Sequence, residues 1–213
     1  MRIIVGVIAL SLLGVLPASQ AQEVVDRVQD FYEQTTGVTG RFQQRVELAI
    51  GQVEEAWGAF SLRRPGMMRW EYEGPEQRLM VTDGSTLWAY TPADRQVIVQ
   101  DLKTGVTSLP FDFLMGVGKL TEQFILREVT EQGDAYRLVL QPRQPDALLR
   151  EMEMQVDATT LHIRSLAVVD LHENRTVMHF SHLRVNDDLP ADLFSFVPPS
   201  GVKILHAEDL FPR

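Results

Sequence analysis

Most of the chain between residues 42 and 185 alternates between apolar and polar positions. The segment from Met67 to Glu73 shows the pattern most clearly, because Met68, Trp70 and Tyr72 share one parity while charged residues occupy most of the other. A period of two residues predicts strands that bury one face. Turn signals such as Asp83-Gly84 separate these runs, so neighbouring strands are expected to be antiparallel.

The pattern predicts about eleven antiparallel strands, joined mostly by short turns. The predicted strands cover residues 42–48, 57–64, 67–73, 78–82, 86–90, 96–102, 124–129, 136–141, 150–156, 161–170 and 176–185, and a last apolar segment covers residues 202–205. A sheet of this kind has one wet side, and its apolar side must be covered.

Two segments are available to cover the sheet. Apolar residues from Val24 to Tyr32 recur at helical spacing and predict an amphipathic helix that Gly37 and Gly40 end. The apolar stretch from Ser108 to Leu120 predicts a short helix or two turns, and Pro190–Phe194 predicts a further helical turn. The predicted fold class is therefore mainly β (α+β), and a large curled sheet with so few helices favours an enclosed cavity over a dense sandwich.

The N-terminus has the pattern of a secretory signal peptide. Met1-Arg2 is followed by an almost unbroken apolar run from Ile3 to Leu16, then by Pro17 and by the small residues of Ser19-Gln20-Ala21. Cleavage is predicted after Ala21. Residues 1–21 are then the signal peptide, and residues 22–213 form a single exported, soluble domain.

Composition narrows the classes of function. The chain has 213 residues, no cysteine and a formal net charge of -9. The missing cysteine excludes thiolate metal sites, cysteine nucleophiles and a lipid-modified N-terminal cysteine. The acidic balance argues against nucleic acid as a partner, and it favours basic protein surfaces or neutral ligands.

No catalytic or metal-binding motif stands out, so the sequence predicts neither an enzyme nor a cofactor. His179 and His182 are three residues apart on a predicted strand, so they point to opposite faces unless a bulge intervenes. Ser181 next to His182 does the same. Absence of a motif lowers the case for an enzyme without excluding one.

Large or soft apolar side chains are the prominent feature. They suit either an ordinary core or a cavity for flexible apolar chains. They are Met67, Met68, Trp70, Tyr72, Met80, Trp88, Tyr90, Phe111, Phe113, Met115, Met152, Met154 and Met178.

Arg64 is a cation that the strand pattern can direct toward this apolar surface. If the alternation through Phe60 and Leu62 continues, Arg64 points to the apolar face and needs hydrogen-bond acceptors. The carbonyls at the end of a covering helix would serve, because they lack partners within the helix. Alternatively, Arg64 ends its strand and extends to water. Spacing alone leaves both interpretations open.

Several blocks of the sequence closely resemble the periplasmic outer-membrane lipoprotein carrier family, the LolA type. The similarity covers essentially the whole predicted mature chain and is strongest in its N-terminal half. The blocks are Phe42-Gln43-Gln44, the run from Gly58 to Tyr72 with Arg64-Pro65 and Arg69-Trp70, Pro75, the run from Val81 to Tyr90, Gln96-Val97, and the ending from Phe194 to Val202.

The resemblance implies an unclosed antiparallel barrel of eleven strands with a short helical lid over a hydrophobic cavity. It also implies a periplasmic monomer that takes acylated lipoproteins from an inner-membrane ABC transporter complex and passes them to an outer-membrane lipoprotein receptor. The missing cysteine places this chain on the soluble-carrier side of that pair. The same architecture also serves carriers of another lipid or glycolipid and envelope-stress sensing modules, which remain alternatives.

Site residues follow from the resemblance and from the strand pattern together. The expected lining of the lipid-binding cavity is Phe42, Phe60, Leu62, Met68, Trp70, Leu79, Val81, Trp88, Tyr90, Met152 and Met154. The expected lid residues are Leu109, Phe111, Phe113 and Leu114. Arg64 corresponds to the arginine that holds the lid in this family, whereas Met68 stands where many members have phenylalanine. No catalytic residue, metal ligand or cofactor is implied.

Overall fold

One mixed sheet runs through the protein. A computed structural model describes residues 14–103, 109–146 and 148–210. The strands are β1 (Gly14–Val15), β2 (Gly37–Glu47), β3 (Val53–Arg63), β4 (Met67–Gly74), β5 (Arg78–Asp83), β6 (Thr86–Thr91), β7 (Gln96–Asp101), β8 (Phe124–Gln132), β9 (Ala135–Pro142), β10 (Glu151–Asp157), β11 (Ile163–Val169), β12 (Arg175–Val185) and β13 (Lys203–His206).

The strand order confirms an unclosed sheet dominated by antiparallel pairs. The order is β1-β8-β9-β10-β11-β12-β2-β3-β4-β5-β6-β7-β13, so β1 and β13 form the two edges. The described residues contain thirteen strands instead of the expected eleven, because these two short edge strands add to the count. The last strand also differs in direction, since β13 pairs with β7 in parallel.

The first helix, α1 (Ala18–Gln34), is longer than predicted and begins before the expected cleavage site. Residues 1–13, which carry the basic start and most of the apolar run, lie outside the described residues. The prediction that Gly37 and Gly40 end the helix is wrong, because both residues lie in β2. A Cβ at Gly37 would lie 2.6 Å from the carbonyl oxygen of Asp187, so the close approach of the backbone just after β12 explains this glycine.

Three further helices and one turn complete the secondary structure of the described residues. These are α2 (Leu109–Met115), α3 (Leu120–Gln123), the 3-10 turn Ala191–Phe194 and α4 (Ala207–Leu210). The predicted helical character of the stretch from Ser108 to Leu120 is confirmed, although Ser108 itself lies outside the described residues. In the described part of the chain, no helix has the length and apolar character needed to cross a membrane.

The core lies between one face of the sheet, called the inner face here, and the helices α1 and α2. The buried side of α1 consists of Ala21, Val24, Val25, Val28 and Tyr32, together with the polar Gln29. Gln29 is satisfied there, because its Oε1 accepts a hydrogen bond of 2.8 Å from the backbone N–H of Leu120. This bond connects α1 to the start of α3.

The opposite, outer face of the sheet is not wet throughout, contrary to the prediction. The 3-10 turn Ala191–Phe194 packs on β4 and β5, and Phe194 is fully buried. Phe196, just beyond this turn, contacts the rings of Trp88 and Tyr90. The C-terminal segment therefore covers a second apolar surface on the outer face.

Candidate functional site

Seven of the eleven predicted cavity residues come together in one buried cluster on the inner face. This inner cluster contains Phe42, Phe60, Leu62, Met68, Trp70, Met152 and Met154. Its members come from β2, β3, β4 and β10, and the strand order places β10 near β2, so residues from both halves of the chain contribute. The cluster is continuous with the buried side of α1.

Stacked aromatic rings form the centre of the inner cluster. The side chain of Trp70 is only 1% exposed, and its ring lies 4.6 Å from Phe42 and 5.0 Å from Phe60, measured between centroids. On the side away from the sheet, Phe111 meets Trp70 edge-on at 5.6 Å. Such contacts stabilise the cluster beyond simple burial of area.

The helix α2, called the lid helix here, fills the space over this cluster. Phe113 and Leu114 are buried in the same core, and Phe111 is half-buried against it. Phe113 also contacts the Tyr32 ring of α1 at 5.5 Å. Leu109 begins the lid helix, but its side chain lies outside the described residues. The lid helix therefore covers the inner cluster with its own apolar side chains.

Arg64 connects the lid helix to the rest of the protein through backbone carbonyls. Its Nη2 donates to the carbonyl oxygen of Phe113 at 2.7 Å and its Nε donates to that of Leu114 at 3.0 Å. Its Nη1 donates to the carbonyl oxygen of Tyr32. One guanidinium thus satisfies acceptors in the last turns of two helices, α1 and α2, where carbonyls lack partners within the helix. Of the two interpretations left open by the sequence, the structure shows the inward one.

The environment of Arg64 is partly dry. Burial lowers the pKa of the Arg64 guanidinium to about 10, whereas Tyr32 and Glu33 act in the opposite direction. The guanidinium also lies over the rings of Tyr32 and Phe113, with 5.1 and 5.6 Å to the ring centroids. Removing water strengthens the attraction between the cation and its acceptors, but it also makes burial of the charge costly.

Backbone contacts next to Arg64 hold the end of the lid helix in the same place. The N–H of Gly66, in the turn between β3 and β4, donates to the carbonyl oxygen of Met115 at 2.9 Å. Gly116 follows the lid helix with a φ of +72°, and a Cβ there would lie 3.0 Å from Cδ of Arg64. Glycine therefore permits both the left-handed turn and the close approach of the arginine.

Four predicted cavity residues do not belong to the inner cluster. Strand pairing puts Met80 opposite Trp70, and it puts Val81 opposite Trp88. Directly paired residues share a face of the sheet, and successive residues along a strand alternate between faces. Met80 therefore lies on the inner face with Trp70, whereas Val81 and Trp88 lie on the outer face. This outer patch consists of Leu79, Val81, Trp88 and Tyr90. The prediction that these residues line the cavity is therefore wrong.

The strand register also brings in residues that were not among the predicted cavity positions. Met80 and Leu87 pack against the inner cluster, and Tyr32 contributes both its ring and its carbonyl. Tyr32 is deeply buried, and this burial raises its pKa to about 12. The helical spacing of apolar residues in α1 indicated that Tyr32 is buried. The sequence of β5 did not indicate which face Met80 occupies, because both faces of this strand are apolar.

Histidines form no site in the described part of the chain. Both His179 and His182 are exposed, and a bulge separates Ser181 from Arg184 in the pairing of β12 with β2. No group of three or more potential metal ligands occurs among residues 14–103, 109–146 and 148–210. Oγ of Ser181 lies 3.2 Å from Nδ1 of His182, and both residues are exposed.

Comparison with known proteins identifies the family. The profile described as "Outer membrane lipoprotein carrier protein LolA" matches residues 33–197. The outer-membrane lipoprotein carrier protein of Chromobacterium violaceum is 31% identical over 195 residues, covering 92% of this chain and 93% of that protein. The protein of the same name from Azotobacter vinelandii is 28% identical over 193 residues, covering 89% and 91%.

A solved structure shows the same fold at low sequence identity. An uncharacterized conserved protein from Thermus thermophilus superposes with a TM-score of 0.55 at 14% identity, covering 88% of this chain and 99% of that one. At this identity the likeness concerns the fold alone. The match over residues 33–197 includes Arg64, the inner cluster and the lid helix. The chain belongs to the LolA family of outer membrane lipoprotein carrier proteins.

Proposed function

We propose that the protein carries acylated lipoproteins across the periplasm and shields their acyl chains between the inner face of the sheet and the lid helix. It takes them from an inner-membrane ABC transporter complex and passes them to an outer-membrane lipoprotein receptor. Residues 1–21 direct export and are removed. The names of the relatives support this role. The observation that carries it is an apolar sheet face covered by a short helix whose end is held through backbone carbonyls.

The physical need for a carrier follows from the cargo. Each methylene of an acyl chain costs about 0.8 kcal/mol when it is exposed to water. A lipoprotein with several long chains therefore stays in its membrane unless another apolar surface replaces the bilayer. The inner cluster offers such a surface, and its methionines, Met68, Met152 and Met154, adapt to flexible chains.

Entry of cargo requires displacement of the lid helix. In this structure Phe113 and Leu114 are buried within the inner cluster, and Phe111 covers Trp70. Acyl chains and lid side chains therefore compete for the same surface. The net affinity is the difference between two buried states, so it is smaller than the gain from shielding the chains alone. A carrier that must also release its cargo benefits from this balance.

Arg64 biases the competition toward the closed lid. Its bonds to the carbonyls of Phe113 and Leu114 exist only when the lid helix lies in its present position. Hydrogen bonds from a charged donor contribute about 1.5–3 kcal/mol each. Closing the lid therefore recovers free energy when the cargo leaves. No catalytic step is part of this mechanism, because binding and release require only the exchange of apolar contacts.

Depletion of the protein from its own cell tests the proposal. Newly made outer-membrane lipoproteins should accumulate in the inner-membrane fraction after density-gradient separation, and expression of the intact chain should restore their sorting. A matched variant without residues 1–21 should fail to restore it, because the protein then stays in the cytoplasm. Normal sorting of all lipoproteins in depleted cells would contradict the proposed function.

A further inference from the structure

The edge of β8 is occupied by a segment that export is expected to remove. The short strand β1 pairs with β8, with Gly14 opposite Glu131 and Val15 opposite Thr130. The N–H of Leu16 then donates to the carbonyl oxygen of Val129 at 2.9 Å. Gly14, Val15 and Leu16 all precede the predicted cleavage after Ala21. In the processed chain, the backbone groups that β8 turns toward β1 therefore lose their partners.

The geometry of the pairing defines what this edge accepts. In an antiparallel strand, the N–H and C=O groups of alternate residues point to the same neighbour. Those of Val129 and Glu131 point to the edge, whereas those of Thr130 point to β9. Leu16 points inward and packs against the inner cluster. Val15 points outward and is largely exposed. The edge therefore accepts an extended peptide with one apolar side chain directed into the core.

Thr130 shows that the present occupant is an imperfect fit. Its side chain is 6% exposed, yet its Oγ1 has no hydrogen-bond partner. Val15 stands directly opposite and offers no polar group. Side chains of such a directly opposed pair lie close enough to bond when both carry hydroxyls. A segment with serine or threonine in the place of Val15 would satisfy the Thr130 hydroxyl.

The direction of the strands determines the end of the sheet from which a peptide at this edge would start. In the antiparallel order, the C-terminal end of β8 lies at the same end of the sheet as the C-terminal end of β3, which Arg64 follows. A peptide in the place of β1 enters at that end, because β1 is antiparallel to β8. An acyl group on the residue before the peptide would therefore lie at the end of the sheet where β3 ends and Arg64 follows it.

We propose that the freed β8 edge of the processed chain binds the extended polypeptide segment that follows the acylated residue of a cargo lipoprotein. The inference rests on the proposed carrier function and deepens it. The acyl chains occupy the inner face, and the peptide adds a strand to β8 through backbone hydrogen bonds. Such pairing accepts many sequences, because most of its bonds involve the backbone. It suits a carrier whose cargoes share an acylated N-terminus.

The test compares two probes and two variants of the processed chain, whose N-terminus is first established by mass spectrometry. The first probe is a synthetic acylated cysteine amide. The second probe carries the same acylated cysteine followed by the peptide Gly-Ser-Leu-Gly-Gly. The variant Glu131→Pro removes the N–H that faces the edge but leaves the bonds of Thr130 to β9 in place, and Glu131→Ala is the matched control.

The peptide-bearing probe should bind Glu131→Pro about tenfold more weakly than the unmodified protein, as expected for the loss of about one net hydrogen bond. Binding of the acylated cysteine amide should be unchanged, and Glu131→Ala should bind both probes normally. In the unmodified protein, the amide of Glu131 should gain hydrogen-exchange protection only with the peptide-bearing probe. This second measurement does not depend on how well the proline variant folds.

The outcomes separate this inference from the proposed function. Equal binding of the peptide-bearing probe by Glu131→Pro and Glu131→Ala, or no protection of the Glu131 amide, would overturn the edge-binding proposal while leaving the carrier intact. Protection of this amide that rises with protein concentration, without any probe, would show that a second copy of the chain takes the edge, and it too would overturn the proposal. Failure of both probes to bind the unmodified protein would overturn the carrier function and this inference together.

Discussion

Replacing Arg64 with leucine tests the contribution of the lid bonds, because leucine is apolar and has no hydrogen-bond donor. The change removes the bonds to the carbonyls of Phe113, Leu114 and Tyr32. It also removes the cost of burying a charge, which is visible in the lowered pKa of the guanidinium. The closed lid loses its bonds to Arg64, while the open, loaded state loses little.

The expected magnitude follows from the number and type of these bonds. Removing one partner of a buried, charge-assisted contact typically costs about 2–5 kcal/mol. Each 1.4 kcal/mol changes an equilibrium tenfold, so the population of the open lid should rise between about 30-fold and several thousand-fold. Arg64→Leu should therefore accept lipoprotein at least as well as the unmodified protein. Its transfer to the receptor should be slower, because closure no longer drives release.

A two-step transfer assay measures both halves of this prediction. Cargo uptake from inner-membrane vesicles is followed first, and delivery to the isolated receptor is followed second. The control is Arg63→Leu, the same substitution one residue earlier, where strand alternation directs the side chain away from Leu62 and the inner face. Normal delivery by Arg64→Leu, or an equal defect in Arg63→Leu, would refute the gating role.

Two further predictions concern the framework around the lid. The buried N–H of Ile163 donates a hydrogen bond of 3.0 Å to the Tyr32 hydroxyl, which Tyr32→Phe removes. The free energy of unfolding, measured in urea, should therefore fall by about 1–3 kcal/mol. An unchanged free energy of unfolding would contradict this role of Tyr32. The pKa of Asp157 lies well below its usual range, because the backbone N–H of Thr160 and the guanidinium of Arg164 bond to the carboxylate. The unfolded chain therefore binds more protons in acid, so the stabilisation is present above the ordinary aspartate pKa of about 3.9 and is lost as the pH falls below it. Unfolding at a series of pH values between 7 and 2 should show a shallower acid loss in Asp157→Asn, and identical slopes would contradict the assignment.

The residues of the inner cluster could be predicted from sequence where one face of a strand is polar. In β4, charged residues alternate with Met68 and Trp70, so the apolar parity identifies the buried side. The same holds for Met152 and Met154 in β10. At these positions the buried face follows from one rule: burial of the other face would remove charged side chains from water without giving them partners.

The outer patch could not be separated from the inner cluster in this way. In β5 the residues Leu79 and Val81 alternate with Met80, so both parities are apolar. Both faces are buried here, because the lid side covers one and the segment around Phe194 and Phe196 covers the other. The covering segment is more than 100 residues away in sequence, and periodicity within a strand contains no information about it.

Arg64 and the edge strands show a second limit of the sequence. The spacing from Leu62 leaves the orientation of Arg64 open, because the residue follows the end of β3 and the alternation no longer constrains it. The acceptors that decide its position belong to α1 and to the lid helix, which lie 32 and about 50 residues away in sequence. Likewise, the parallel pairing of β13 with β7 depends on the path of the C-terminal segment over the outer face.

In the proposed mechanism, acyl chains replace the lid side chains on the inner face, and the tryptophans allow this exchange to be measured directly. The protein has three tryptophans, so two variants each keep one reporter. Trp57→Phe with Trp88→Phe leaves Trp70 in the inner cluster, and Trp57→Phe with Trp70→Phe leaves Trp88 on the outer face. A lipoprotein with brominated acyl chains should quench the fluorescence of Trp70 and leave that of Trp88 unchanged. Quenching of Trp88 with Trp70 unaffected would contradict the exchange of acyl chains for lid side chains.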